Sequence, residues 1–234
     1  SRLTLKGYNG FIIYGFNSIA AGKNNHPNVW WSTNPLDYLY EFKDNMKNFS
    51  ILKYTKTKNY IKRAFLNIYL KLLRYLDQKD IEGVDKIFAV GSFAKKRLEK
   101  AYPKRVVEIL YAPTDTNKLR YLSKGKYYLS VARLVPEKNV DKIVKAFQKM
   151  PGKKLYVIGN GPMKEEIEKM AEGYKNIRIF GFLEENELRK IIGKSITMIG
   201  MCENEDFSMN FMESLAAGKP IISINPDRKS KKLE

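Results

Sequence analysis

The second half of the chain alternates short apolar runs with helical patterns at near-regular spacing, and that alternation restricts the fold more than any other feature. YYLSVA (Tyr127 to Ala132) is predicted as a strand. After Pro136, the residues Val140, Ile143, Val144 and Phe147 recur at the spacing of one helix face. KLYVIG (Lys154 to Gly159) reads as the next strand, and a helix is expected to open at Pro162, where proline forfeits no hydrogen bond. NIRIFGF, ELRKIIGK, ITMIG, FSMNFMESLAAG and PIISI continue the series. Strand and helix in strict turn predict an α/β fold, a parallel sheet with helices on both faces. Such sheets bind ligands beyond the carboxyl ends of their strands.

The first half follows the same logic less regularly. Gly10 to Phe16 and Asn28 to Trp31 read as strands joined by the turn-rich GKNNHPN, and apolar spacing predicts a helix over about residues 58–76. Lys86 to Val90 reads as a buried strand, Ser92 to Tyr102 as a helix with Ser92 at its N-cap, and Val106 to Pro113 as a further strand. Residues 114–126 are polar and aperiodic, which suits a linker between a domain over 1–113 and another over 127–234.

The charge narrows the environment. There are 43 Lys and Arg against 25 Asp and Glu, a net +18. Lys43 to Arg74 holds nine basic residues and one acid, Asp44, so 9 − 1 gives +8, interleaved with large apolar residues. That mixture suits an interfacial helix on anionic lipid, where each cation adds about 1 kcal/mol. A lysine-rich solvated face accounts for the charge as well, and no nucleic-acid motif accompanies it. No run approaches the ~18 apolar residues of a spanning helix. A lone Cys202 and a single His26 leave no disulfide, cysteine cluster or histidine metal site to expect. The N-terminus, SRLTLKGYNGF, lacks a secretory pattern and reads as a chain that starts mid-fold. The expected location is cytoplasmic, with the basic apolar stretch allowing a peripheral place on the inner face of the membrane.

Three stretches carry candidate chemistry. SVARLVPEKN sets Arg133 at a strand's carboxyl end and Lys138 at the start of the following helix, where two cations and a helix N-terminus suit a diphosphate; two surface cations fit the spacing as well. VIGNGPMKEE is a strand, a Gly-Asn-Gly-Pro turn and a helix; it lacks the third glycine of the dinucleotide fingerprint, and Gly159 and Gly161 suit a turn with positive φ. CENEDFSMNFMESLAAGKP holds Glu205 and Glu213 around Ser208. A helix beginning near Phe207 would set Phe207, Phe211, Leu215 and Ala216 against the sheet, with Glu205 in the preceding loop. Glu205, the amides near Ser208 and Glu213 could then line one groove, although spacing alone reads the two glutamates as surface charges.

Taken together, Arg133, Lys138, the Gly-Asn-Gly-Pro turn, E-x(7)-E and SLAAGKPII resemble the retaining glycosyltransferases of family 4, whose GT-B fold pairs two Rossmann-like domains. PNVWWSTNPLDYLYE and VGSFAKKRLEKAYPKRVVEILYAPTDTNKL resemble segments of the acceptor-side domain, most like those of mannosyltransferases. The resemblance implies an N-terminal domain that is incomplete and a C-terminal one cut short after PIISIN. It implies that Arg133 and Lys138 hold the donor diphosphate, Glu205 the transferred hexose and Glu213 the ribose. Phe207, Ser208, Met209 and Gly161 would also contact the donor, with Phe182 and Leu183 at the nucleobase and Thr33 on the acceptor side. The implied partners are a nucleotide-diphosphate sugar and a glycan or lipid-linked acceptor, with no cofactor and no metal. The sequence departs from the family at Thr33, where it has a histidine, at Asp37, where it has an arginine, and at Ser208, where it has a glycine. These departures keep open a homologue that binds nucleotide sugars without turnover, and the charge keeps open a basic membrane-surface adaptor.

Overall fold

The computed structural model describes residues 4–15, 18–33, 37–40, 60–202 and 207–224. The chain divides into two compact units, Ser1–Ala112 and Pro113–Glu234.

The first unit is built on β1 (Phe11–Tyr14), β2 (Asn28–Ser32), β3 (Lys86–Ala89) and β4 (Val107–Ile109), parallel and in sequence order. Around them run α1 (Asp37–Tyr40), α2 (Tyr60–Asp80) and α3 (Ser92–Ala101). For parallel neighbours in sequence order, the right-handed crossover that such units almost always adopt puts the connecting helices on one face of the sheet. Trp30 is fully buried and meets the ring of Tyr102, just after α3, edge to face at 5.8 Å. Beneath α2 lies a buried polar knot. Tyr40 Oη and Tyr102 Oη both donate to Asp77 Oδ2, at 2.5 and 2.8 Å, and Gln78 Nε2 donates to Tyr40 Oη. Burial pushes the Asp77 carboxyl above its ordinary range, against the pull of the two hydroxyls, and burial raises both tyrosines as well.

β4 stops at Ile109, well short of the expected Pro113, and two helix boundaries also differ from the sequence expectation. α2 runs to Asp80 rather than ending near residue 76, because its inward face continues through Asp77, a buried acid that apolar periodicity does not register. Ser92 is the first helical residue of α3 and not its cap: Gly91, in extended backbone, accepts the first intrahelical bond from the Lys95 amide.

The second unit carries β5 (Tyr128–Val131), α4 (Val140–Gln148), β6 (Leu155–Ile158), α5 (Lys164–Ala171), β7 (Ile177–Phe180), α6 (Glu185–Gly193), β8 (Thr197–Gly200), α7 (Met209–Ala216) and β9 (Ile221–Ser223). The strands are parallel in the order β7-β6-β5-β8-β9. The chain thus builds outward from β5 in one direction, then returns to build in the other, which makes the gap between β5 and β8 the switch point of the sheet. Among the described residues, two apolar cores lie in this unit. One gathers Ile143, Val144 and Phe147 of α4 with Val157 and Ile167; the other gathers Leu119, Leu129, Ile158, Ile192, Met198 and Ala217. Each fully buried aliphatic side chain contributes about 1.5–3 kcal/mol.

The segment before β5 is fastened to this unit. Leu119 is buried in its core, the amides of Leu122 and Ser123 donate to Gly193 O, and buried Lys219 donates to Ser123 O beneath the Tyr121 ring. Burial lowers the Lys219 pKa.

α5 opens at Lys164, not at Pro162. The Met163 amide is drawn to Leu134 O, so the first α-turn closes only at the Ile167 amide on Met163 O. α7 begins at Met209, and its buried face centres on Ser214 and Ala217, both fully buried. Leu215, expected against the sheet, is 48% exposed. Small residues let the helix approach the sheet closely, and a pattern of large apolar residues overlooks them.

Candidate functional site

A cleft of about 330 Å³ opens at the switch point, walled by the carboxyl ends of β5 and β8 and the start of α7. Arg133 enters it two residues beyond β5, and Lys138 enters from a short 3₁₀ turn, Pro136–Lys138. Asn139 follows in the left-handed region, φ 49 and ψ 35, so that α4 can start on a new axis at Val140. Phe207, Ser208 and Met209 line the opposite wall. The sequence-predicted cations and the Phe-Ser-Met stretch, 75 positions apart counting from Arg133 to Ser208 (208 − 133), therefore meet in one cleft.

Ser208 is the N-cap residue of α7, with φ −93 and ψ 106. That backbone is open to any residue, so serine imposes no strain there; it adds a hydroxymethyl group to the cleft wall. Its carbonyl accepts the first bonds of the helix, from the Phe211 and Met212 amides at 3.1 and 3.2 Å. The amides of Met209 and Asn210 precede those bonds and sit at the positive end of the helix dipole, where an anion is favoured.

The other predicted site residues fall elsewhere. Glu213 is half-buried on α7 but does not line the cleft. Burial raises its pKa, Arg189 on α6 opposes the rise and Glu185 adds to it. Arg189 and Glu185 are themselves ion-paired. Gly161 also lies outside the cleft. At φ 156 a side chain there would stand 2.4 Å from Leu134 O, so glycine permits the Gly-Asn-Gly turn to press on the loop that carries Arg133. Gly159 is more constrained still: an added Cβ would meet Ala132 O at 1.9 Å. In the connection after β7, Phe182 is 79% exposed while Leu183 packs partly into the core. Thr33 stands exposed just past the carboxyl end of β2, in the first unit. Glu205 and the basic residues from Lys43 to Lys58 lie outside the described residues, as does the Asp37 side chain.

Sequence reading missed the two amides that brace this cleft. Asn139 Nδ2 donates to Met201 O at 2.9 Å, tying the loop of Lys138 to the end of β8. Asn210 Nδ2 donates to Val131 O at 2.8 Å, tying α7 to the end of β5. Gly200 shares the cleft and admits the Phe211 ring, which an added Cβ would meet at 2.6 Å. Only Asn139 had a local signal, an asparagine ahead of a helix where left-handed backbone is tolerated. Among the described residues no cluster of His, Cys, Asp and Glu could hold a metal ion, and no helix is long and apolar enough to cross a membrane.

Residues 113–231, half of the chain, match the family model of glycosyl transferases group 1. The chain belongs to that family. The group 1 match spans all but the last three residues of the second unit, and the cleft within it. The uncharacterized glycosyltransferase YqgM of Bacillus subtilis is 25% identical over 149 residues, which cover 59% of this chain and 41% of the relative. The alpha-monoglucosyldiacylglycerol synthase of Acholeplasma laidlawii is 25% identical over 177 residues, 73% of this chain and 42% of the relative. The group 1 chain thus spans less than half the length of either relative. Among solved structures, Anabaena Alr3699/HepE in complex with UDP superposes with a TM-score of 0.66 at 12% identity, covering 91% of this chain and 59% of that one. The likeness establishes the GT-B type of fold, with parallel sheets flanked by helices.

Proposed function

We propose that the protein is a retaining glycosyltransferase that moves a hexose, mannose by its sequence resemblance, from a nucleotide-diphosphate sugar to a glycan or lipid-linked acceptor. The observation that carries this reading is the convergence of Arg133, Lys138 and the start of α7 on one cleft at the switch point of the sheet. Two cations and a helix N-terminus complement a diphosphate, whose negative charge grows as the bond to the sugar breaks. Arg133 and Lys138 supply the positive charge at the leaving group, so the reading needs no metal or cofactor. The sugar would depart and the acceptor attack on the same face through an oxocarbenium-like transition state, with Glu205 beside the sugar and Glu213 beside the ribose. Phe182 and Leu183 would flank the nucleobase, and Thr33 the acceptor.

Family membership supports the transferase class, and the UDP held by Alr3699/HepE supports a nucleotide-sugar donor. The lipid product in the name of the Acholeplasma laidlawii relative supports a lipid-linked acceptor, and the net +8 over Lys43 to Arg74 supports work at an anionic membrane surface on its inner, cytoplasmic side.

Donor turnover by the protein and by Lys138→Ala tests the reading. Removing one preorganised donor of this kind costs on the order of 10²- to 10³-fold in rate. Full activity in Lys138→Ala would remove Lys138 from the site. A second reading, a homologue that binds the donor without turnover, rests on Ser208 in the cleft wall and Thr33 in place of the family's histidine. Calorimetry that shows nucleoside diphosphate binding, with no sugar released from any nucleotide sugar, would select it.

A further inference from the structure

α2 has two apolar faces, and among the described residues only one of them packs. Leu70, Leu73 and Asp77 turn inward, half-buried or buried. Phe65, Ile68, Tyr69, Leu72, Tyr75 and Leu76 form a second stripe, every one at least 46% exposed. At about 100° per residue these six fall within one arc of roughly 120°, running three turns along the helix and turned away from the inward face. An apolar patch of this length on a protein surface marks an interaction site, not chance exposure.

We propose that this stripe of α2 is the surface that docks on an anionic lipid bilayer. Charge selects the occupant. From Tyr60 to Leu76 the helix has four basic residues, Lys62, Arg63, Lys71 and Arg74, and no acid; Arg74 is engaged by Leu39 O and the Tyr40 ring, which leaves three for a partner. The two acids beyond are engaged elsewhere: Asp77 accepts from Tyr40 and Tyr102 beneath the helix, and Asp80 pairs with Lys23 at 2.6 Å. Lys79 lies along the stripe with its ammonium 4.9 Å from the Tyr75 ring, and Lys71 is exposed on the same helix. A second copy of the chain would bring the same cations against each other in a molecule that already carries +18, whereas an anionic surface compensates them. The side chains also suit the interface zone: Phe, Ile and Leu to enter the acyl boundary, and two tyrosines that are comfortable at headgroup level. The proposal locates the membrane part of the functional reading on one helix face, and it stands apart from the donor chemistry.

Co-sedimentation of the full chain with vesicles tests it, at physiological salt, using phosphatidylcholine alone and phosphatidylcholine mixed with phosphatidylglycerol. The protein should pellet with the mixed vesicles and stay in solution with the neutral ones. Ile68→Asn with Leu72→Gln should weaken binding about tenfold or more, since both side chains are exposed and their loss should leave the fold and its melting temperature unchanged. Lys71→Gln and Lys79→Gln should each weaken it about fivefold. No pelleting with mixed vesicles, undiminished pelleting of the Ile68/Leu72 variant, or equal binding to neutral vesicles would each overturn the proposal. A dimer in sizing chromatography that the Ile68/Leu72 substitutions dissolve would assign the stripe to a second copy and overturn it too. Calorimetry with a nucleoside diphosphate on the same samples separates the two readings. Failure there with intact vesicle binding sinks only the donor assignment, and the reverse pattern sinks only the docking face.

Discussion

In α4 the residues Val140, Ile143, Val144 and Phe147 are all buried, and Asp141 and Lys145 pair at i, i+4 on its wet side. In α2 six large apolar residues stand in solvent, and a carboxylate, Asp77, is held inside by two tyrosine hydroxyls. Both helices read as amphipathic by sequence. Apolar periodicity therefore marks residues suited to leave water, and packing within the chain is only one of the places they can go. α4 helps carry the cleft and is finished when the chain folds. α2 has a packed face and a face still open.

The sharpest way to break this contrast is to truncate one residue from each. Ile143→Ala should cost about 3 kcal/mol through lost burial and a residual cavity. Leu72→Ala should change stability by no more than about 0.5 kcal/mol. Denaturant midpoints for the pair would test this, and a comparable loss in Leu72→Ala would mean that the exposed stripe packs within the fold.

A smaller effect probes the acid beneath α2. Asp77→Ala strands two buried hydroxyls without their acceptor and should cost about 2 kcal/mol. The pH dependence has a definite sign. Burial raises the folded pKa of Asp77 above its ordinary value near 3.8, so the folded state favours the protonated form. The stability this contributes is fully present below the ordinary value and is lost as pH rises through the raised one. Asp77→Asn should remove that slope. An unchanged stability profile between those two values would show that Asp77 is solvated.

A smaller loss than that of Asp77→Ala concerns the cleft. Asn139→Gly keeps the left-handed backbone and deletes the amide bridge to Met201 O together with the longer bond to Glu137 O at 3.4 Å, a cost of about 1 kcal/mol. Thermal unfolding would register it, and no shift at all would mean the bridge contributes nothing.

Much of the second unit was legible because its elements obey one period at a time. The strands from Tyr128 to Ser223 lie within the apolar runs, and Arg133 and Lys138 stand in the loop where strand order would put them. Illegible were the features set by neighbours distant in sequence. The delayed start of α5 comes from Leu134 drawing in the Met163 amide, and the close seating of α7 from the small side chains of Ser214 and Ala217. The braces of Asn139 and Asn210 reach 62 and 79 positions along the chain.

By itself the sequence determined the class of fold, the parallel order of strand and helix, and the residue types available for a diphosphate: these follow from local periodicity and from the chemistry of single side chains. Only the tertiary structure decided that Arg133, Lys138 and Ser208 share a cleft while Glu213 lies outside it, beside Arg189. It alone decided that α2 turns Leu70 and Leu73 inward and leaves Phe65, Ile68, Tyr69, Leu72, Tyr75 and Leu76 uncovered. The physical reason is the same in both cases. A helix offers several faces with similar side chains, and which one meets a neighbour depends on where the sheet order places that neighbour.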